Sequence, residues 1–374
     1  MKEKLKIVFV QAAGSLSETG GFRIVAGYAD RLQRRGHEVT LIAPEGGTPK
    51  PRTLKGKIKN LFRSTRKPEL AATPPFLENE NVEIKVITGV RELAPADLPE
   101  ADVLIATWWE TGEWIANAPP EVTKVHFVQG HEVFPYMPLE RVQAVYQKPY
   151  KKIAVSEWLR DELREHYGIN DTFLVENTID TEMFIPLQRR LKQSQPTVGF
   201  LYSVMGLKNS PLAIQTCRRL KNIYPDLRAI AFGSHAPRPE HKMPDWIEFT
   251  VKPTSDDIAT IYRSCDVWLF TSDSEGYGLP ILEAMASGTP VVATPAGAAP
   301  QLVSEKNGAI ISHDVDAAVN ATQKILELTD EDWSCLSDNC LETARRRNWE
   351  TATDEFEAAL LSIVNGKQAE FIKN

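Results

Sequence analysis

One arrangement occurs twice along this chain and restricts its fold more than any other feature. Lys6-Ile-Val-Phe-Val10 is a short apolar run, followed by a glycine-bearing loop around Gly20 and Gly21. Ile24, Val25, Tyr28, Ala29 and Leu32 then share one helical face, Gly36 closes the helix, and Val39 to Ala43 is a second apolar run. After Pro196 the order returns, with Val198 to Tyr202, a loop through Gly206 to Pro211, a helix carrying Leu212, Ile214 and Leu220, and the run Leu227 to Phe232. Each is a βαβ unit. Further strands are expected at Val82 to Ile87, Val103 to Thr107, Lys124 to Gln129, Lys152 to Val155, Ile247 to Val251, Val267 to Thr271, Val291 to Thr294 and Ala309 to Ser312. Strands alternating with helices predict parallel sheets, with ligands gathering outside their carboxyl ends.

At 374 residues the chain exceeds one ordinary core, so two Rossmann-like domains are expected. The polar stretch Pro186 to Pro196 is the expected boundary, giving domains 1–188 and 189–350 and a terminal segment, 351–374, whose helix spans Thr351 to Val364. With 43 basic and 50 acidic residues the net charge is -7, which argues against a general nucleic-acid binder. Cys217, Cys265, Cys335 and Cys340 form no CxxC pair and read as reduced, structural thiols of a cytoplasmic protein. The N-terminal apolar run is too short for a signal peptide, and Gly and Pro interrupt the longest uncharged stretch, Ala284 to Val303. Lys50 to Lys67 holds eight Lys or Arg and no acid, with Leu54, Ile58, Leu61 and Phe62 on one helical face. It is either a basic amphipathic helix in peripheral contact with a membrane or a solvated loop.

The segment Ser274 to Gly288, SEGYGLPILEAMASG, carries the chemistry. It follows the apolar strand and must turn: Gly276 and Gly278 permit positive φ, Pro280 suits the first helical turn and Gly288 suits its stop. Amides at that helix start, including those of Tyr277 and Leu279, can hold a diphosphate oxygen, and Glu275 and Glu283 can each accept hydrogen bonds from a vicinal diol. The plainer reading is a βα turn with a dipole-favoured glutamate.

Glu275 and Glu283 within EGYGLPILEAMASGTPVVAT resemble the signature of the retaining glycosyltransferases of family 4, which have the GT-B fold. The resemblance is strongest from Cys265 to Val303, and Ala154 to Arg160 and Asn177 to Asp180, with Phe184 and Pro186, look like further markers of that family. Thr178 stands where the family usually has Gly. Thr107-Trp-Trp-Glu110 and Phe127 to Glu132 are similar to the branch containing bacterial rhamnosyltransferases of surface-glycan pathways.

The resemblance implies two domains facing a cleft and transfer of a hexose-type sugar, with retention, from a nucleotide diphosphate sugar to an acceptor hydroxyl on a glycan or lipid-linked glycan. It places a phosphate-binding lysine at Lys208, beside the departing diphosphate. The arginine the family usually adds is missing from Phe200 to Met205. It also implies a sugar contact at His131 and a terminal helix that returns to the first domain, while Gly20 and Gly21, before a helix, either bring bare backbone to the donor's phosphate or sugar or form an ordinary tight turn. Glu132, Trp108 and Trp109 are candidates on the acceptor side, with one tryptophan expected to stack on sugar and the other to pack the core. Asp314-Val-Asp316 formally matches a DxD metal motif, but its place between a strand and a helix reads as a cap, so no metal or other cofactor is expected. Two rivals are a nucleotide-sugar epimerase of the same architecture and a non-catalytic transferase partner. A NAD-dependent oxidoreductase is disfavoured because Gly14 to Gly21 lacks the GxGxxG spacing.

Overall fold

A computed structural model describes residues 3–12, 20–45, 81–89, 92–186 and 191–366. The basic segment Lys50 to Lys67 lies outside the described residues. The chain divides into two compact units, 1–176 together with 350–374, and 177–349.

In the first unit the described residues form a seven-stranded sheet of β1 (Lys6–Val10), β2 (Glu38–Pro44), β3 (Glu83–Ile87), β4 (Val103–Ala106), β5 (Thr123–Val128), β6 (Lys151–Ala154) and β7 (Phe173–Leu174). Its order is β3-β2-β1-β4-β5-β6-β7. The second unit has a six-stranded sheet of β8 (Thr197–Leu201), β9 (Arg228–Gly233), β10 (Ile247–Val251), β11 (Val267–Phe270), β12 (Val291–Ala293) and β13 (Gly308–Ile310), in the order β10-β9-β8-β11-β12-β13. Every pairing is parallel. Apolar runs such as Ile7 to Val10 on β1 and Val267 to Phe270 on β11 are buried throughout because helices cover both faces of such sheets. The strand order reverses between β1 and β4 in one sheet and between β8 and β11 in the other. In open parallel sheets, ligands gather outside the carboxyl ends of the strands at such a reversal.

The division falls at Glu176 and Asn177, ahead of the expected linker Pro186 to Pro196. Helix Thr181–Phe184 explains the difference: buried Phe184 packs edge-on against Tyr262 at 5.9 Å, and Arg263 donates to the Met183 carbonyl at 2.5 Å. Those contacts fix the segment to the second unit.

The terminal helix, Trp349–Val364, brings the chain back to the first unit. Its fully buried Phe356 stacks on Tyr28 at 4.2 Å and meets Phe127 at 5.1 Å. At the rim of this contact Arg35 pairs with Glu350, Asp354 and Glu357, and His37 Nε2 lies 2.8 Å from Glu357. Among the described residues, no helix is long and apolar enough to cross a membrane.

Candidate functional site

The second unit concentrates its chemistry at the β8/β11 reversal. After β8 the chain makes a 3-10 turn, Gly206–Lys208, and enters helix Ser210–Ile223 through Asn209, whose φ of 43° lies in the left-handed region. After β11 it runs through Thr271 to Tyr277 into helix Leu279–Ala286. Three bonds fasten the loops together: Asp273 N–H to the Leu207 carbonyl at 2.8 Å, Asn209 Nδ2 to Asp273 Oδ1 at 2.8 Å, and Thr271 Oγ1 to the Asn209 carbonyl at 3.1 Å.

Lys208 and Glu275 therefore meet. The Lys208 ammonium donates to Glu275 Oε1, and the same oxygen accepts the Ser272 hydroxyl at 2.7 Å. Glu275 keeps 12% of its side-chain surface exposed and Lys208 26%, so the pair is held yet reachable from solvent. Gly278 caps the following helix with φ of 100°, and a Cβ there would come within 3.0 Å of the Phe270 ring. Only glycine fits that turn without strain.

Gly297 supports the same turn from outside. With φ of 61°, its hydrogen faces the turn so closely that a Cβ would lie 2.5 Å from the Tyr277 carbonyl oxygen and 2.8 Å from the Glu275 Cβ. The next residue, Ala298, donates its N–H to that carbonyl at 2.7 Å. Tyr277 is buried, Gly276 and Leu279 half-buried.

Glu283, one turn into the helix, is only 4% exposed. Its Oε2 accepts the Tyr262 hydroxyl at 2.8 Å, and Tyr262 is wedged against Trp268 at 4.3 Å. Asp314 caps helix Val315–Leu326 by accepting the Ala317 N–H at 2.9 Å, and Asp316 pairs with Arg219. Among the described residues, no cluster of three or more His, Cys, Asp or Glu side chains suits a metal ion. A cavity of about 310 Å³ bounded by Pro237, Lys242 and Phe249 shares no residue with the Lys208–Glu275 pair.

The first unit holds the other candidates. Gly20 and Gly21 are the first residues of helix Gly20–Arg34, and a Cβ on Gly21 would sit 3.3 Å from Gln129 Oε1, just past β5. Residues 13–19, which precede them, lie outside the described residues. Trp108 is half-buried in extended backbone, whereas Trp109 is buried under the Arg141 guanidinium, 5.0 Å from its ring.

Glu132 lies in the interior of this unit. Its carboxylate is 2% exposed and accepts the Trp109 N–H at 2.8 Å, at the start of helix Trp109–Trp114. Burial, helped by Glu110 and opposed by the Trp109 bond, holds its pKa well above the usual carboxylate range. It is an interior acceptor at a helix start. The neighbouring His131 is half-buried, with Nε2 2.9 Å from the Tyr167 hydroxyl and Nδ1 3.2 Å from Glu162.

Sequence reasoning missed Ser272, Tyr262, Gly297, Glu162 and Tyr167. Ser272 sits at a predicted strand end and could have been noticed there. The others act across sequence separations that no local pattern reveals.

Comparison with known proteins places this geometry in a family. Residues 19–183 match the family described as Glycosyltransferase Family 4, and residues 195–328 match that described as Glycosyl transferases group 1. A D-inositol 3-phosphate glycosyltransferase of Corynebacterium kroppenstedtii is 22% identical over 381 residues, covering 89% of this chain and 83% of that protein. One of Saccharomonospora viridis is 33% identical over 129 residues, and the match spans 34% of this chain and 29% of that protein. Among solved structures, HepE of Anabaena in complex with UDP-glucose superposes with a TM-score of 0.72 at 17% identity, covering 96% of this chain and 100% of that one. With both units matched and two Rossmann-like sheets, the chain belongs to the group 1 and family 4 glycosyltransferases and has the GT-B fold.

Proposed function

We propose that the protein transfers a hexose-type sugar from a nucleotide diphosphate sugar to an acceptor hydroxyl, with retention of anomeric configuration, in the synthesis of a bacterial surface glycan. The observation that carries this reading is the Lys208–Glu275–Ser272 cluster at the β8/β11 reversal, beside the glycine-capped start of helix Leu279–Ala286. A cation, a carboxylate and helix-start amides within one crevice suit a diphosphate bonded to a polyol.

In this mechanism Lys208 and the 276–279 amides take the negative charge that develops on the diphosphate as the glycosidic bond breaks. Glu275, released from Lys208, accepts from the sugar hydroxyls, and Glu283 accepts from the ribose diol. The donor's own phosphate oxygen takes the acceptor proton on the same face, so the site needs no separate protein base. His131 and the Gly20–Gly21 backbone supply further sugar and phosphate contacts. Transfer proceeds without a divalent metal, and full activity in excess EDTA is the expected outcome. The rhamnosyltransferase-like residues Thr107 to Glu110 and Phe127 to Glu132 make a nucleotide-linked rhamnose the first donor to try. The acceptor is a glycan or a lipid-linked glycan.

The test is a thermal-shift panel of UDP-, GDP- and dTDP-linked hexoses on the wild type and on Glu283→Ala. A donor at about 100 times its Kd adds roughly 2.7 kcal/mol of stability, several degrees for units of this size. Losing a hydrogen bond to a charged group, worth about 1.5–3 kcal/mol, weakens that donor roughly 10- to 150-fold in the variant. Equal shifts in both proteins, or none with any donor, would overturn the reading.

A further inference from the structure

His131 has a partner on each ring nitrogen, and both come from helix Glu157–Tyr167. We propose that Glu162 and Tyr167 are positioning residues for His131: Glu162 keeps the imidazole proton on Nδ1, and the Tyr167 hydroxyl marks Nε2 as the acceptor nitrogen that a sugar hydroxyl would use. The last clause rests on the proposed function; the assignment of the proton does not.

The argument begins with what each group can do. A carboxylate only accepts, so an imidazole nitrogen 3.2 Å from Glu162 Oε1 is attracted only if it carries a proton; two lone pairs would repel. Neutral imidazole has one N–H. With the proton on Nδ1, Nε2 is left as an acceptor, and the Tyr167 O–H donates to it across 2.9 Å. The order hydroxyl, imidazole, carboxylate is therefore fixed in direction.

An aromatic neighbour packs beside the ring in this arrangement. Tyr146 packs against it at 5.5 Å and against Tyr167 at 5.0 Å. Tyr146 is itself pinned, donating to the Gly130 carbonyl at 2.9 Å and accepting the Glu132 N–H at 3.1 Å.

The titratable groups facing His131 are Glu162, His166 and Tyr167 from one helix and Tyr146 from helix Leu139–Tyr146. Burial lowers the pKa of His131; Glu162 opposes this and His166 adds to it. The neutral form is thereby favoured near pH 7, which makes its tautomer the relevant property. His166 Nδ1 lies 3.0 Å from the same Glu162 oxygen, so the carboxylate serves two imidazoles.

A neutral imidazole with an acceptor lone pair suits a hydroxyl donor, which is what every carbon-bound hydroxyl of a hexose offers. Exchanging the Tyr167 O–H for a sugar O–H at Nε2 replaces one hydrogen bond by a like one and leaves the Glu162 contact in place. The displaced Tyr167 hydroxyl, on a half-buried residue, takes water as its partner, so the exchange costs little.

The experiment uses the full chain with histidine-selective 15N labelling, reading the tautomer of His131 from two-bond 1H–15N spectra at pH 7.5 without any donor. His131→Asn assigns the signal. Wild type is expected in the Nδ1–H form. In Glu162→Gln the ratio of Nδ1–H to Nε2–H should fall about tenfold, as expected for losing one charge-assisted contact. The titration midpoint of His131 should also move lower, because the carboxylate that favoured its protonation is gone. Tyr167→Phe should retain the Nδ1–H form. An Nε2–H tautomer in the wild type, or a ratio unmoved by Glu162→Gln in a protein whose other histidine signals are unchanged, would overturn the proposal. Because no donor is present, that result is independent of whether the proposed transfer activity is found.

Discussion

Lowering the pH should destabilise the first unit through one histidine that the transfer mechanism does not use. His126 lies on β5, is fully buried, and stacks on Tyr146 at 5.2 Å. Neither ring nitrogen has a hydrogen-bond partner among the described residues. Its register neighbour on β6 is Lys152, itself buried, with a pKa pushed down to about 8 chiefly by burial. Burial first, then the Lys152 charge, lower the His126 pKa from 6.5 to about 3. The sign follows directly: below 6.5 the unfolded chain takes up a proton that the folded one refuses until about pH 3, so stability falls through that window as pH falls. Between pH 7 and pH 5 the loss is ~2 kcal/mol, from the usual 1.36 kcal/mol per pH unit with the unfolded group only partly protonated at pH 7. That corresponds to about 4–8 °C in Tm for a unit of this size. His126→Leu, which removes the titrating ring at similar volume, should flatten this part of the profile. The assay is Tm against pH for both proteins. His131 and the carboxylates titrate in each, so the difference between the curves isolates His126. Parallel curves from pH 7 to pH 5 would refute the reasoning.

Phe356→Ala should cost about 3–5 kcal/mol, since it empties a fully buried aromatic site between Tyr28 and Phe127. Denaturant unfolding should show the loss in the transition of the first unit alone, and an unchanged midpoint there would mean that the terminal helix is not part of its core. Gly297→Ala places a methyl against the Tyr277 carbonyl in left-handed backbone, so the donor-induced thermal shift should disappear while the unliganded Tm drops by only a few degrees; a retained shift would show that the turn tolerates the displacement. Lys208→Met should lower kcat for transfer more than it weakens binding of the free nucleoside, because the charge it meets grows as the diphosphate departs. Equal losses in both would make Lys208 a ground-state contact.

Local pattern was enough to locate nearly every strand. Apolar runs bounded by Gly, Pro and polar residues found twelve of the thirteen strands among the described residues, each within a residue or two at its ends. The exception, Phe173–Leu174, is two residues long and too short to carry a period. The unit boundary was less legible because the polar composition of Pro186 to Pro196 says nothing about Phe184, whose burial against Tyr262 assigns the preceding helix to the second unit. The burial of Glu132 was hidden for a related reason. A charged residue beside a histidine at a strand end looks solvent-facing, and nothing in its neighbours reveals that it satisfies the Trp109 amide in the interior.

Lys208 and Glu275 were each legible alone, yet their bond was not, because it spans 67 residues and depends on the parallel pairing of β8 with β11. That pairing gives the site its character. Because the loops leaving both strands emerge side by side where the strand order reverses, a cation from one and a carboxylate from the other meet without any special sequence between them. The pair is partly exposed, and an exposed ion pair contributes little to stability because water and salt screen it. A fold gains almost nothing by keeping such a pair closed and loses almost nothing by opening it. What it gains is position. Each group is held within reach of the glycine-capped helix start by bonds that do not depend on the ion pair: Asp273 to Leu207, Asn209 to Asp273, and Ser272 to Glu275. On the proposed function, a diphosphate arriving at those amides would exchange one partner of Lys208 for another and free Glu275 in the same step, while the loops that carry both remain fastened.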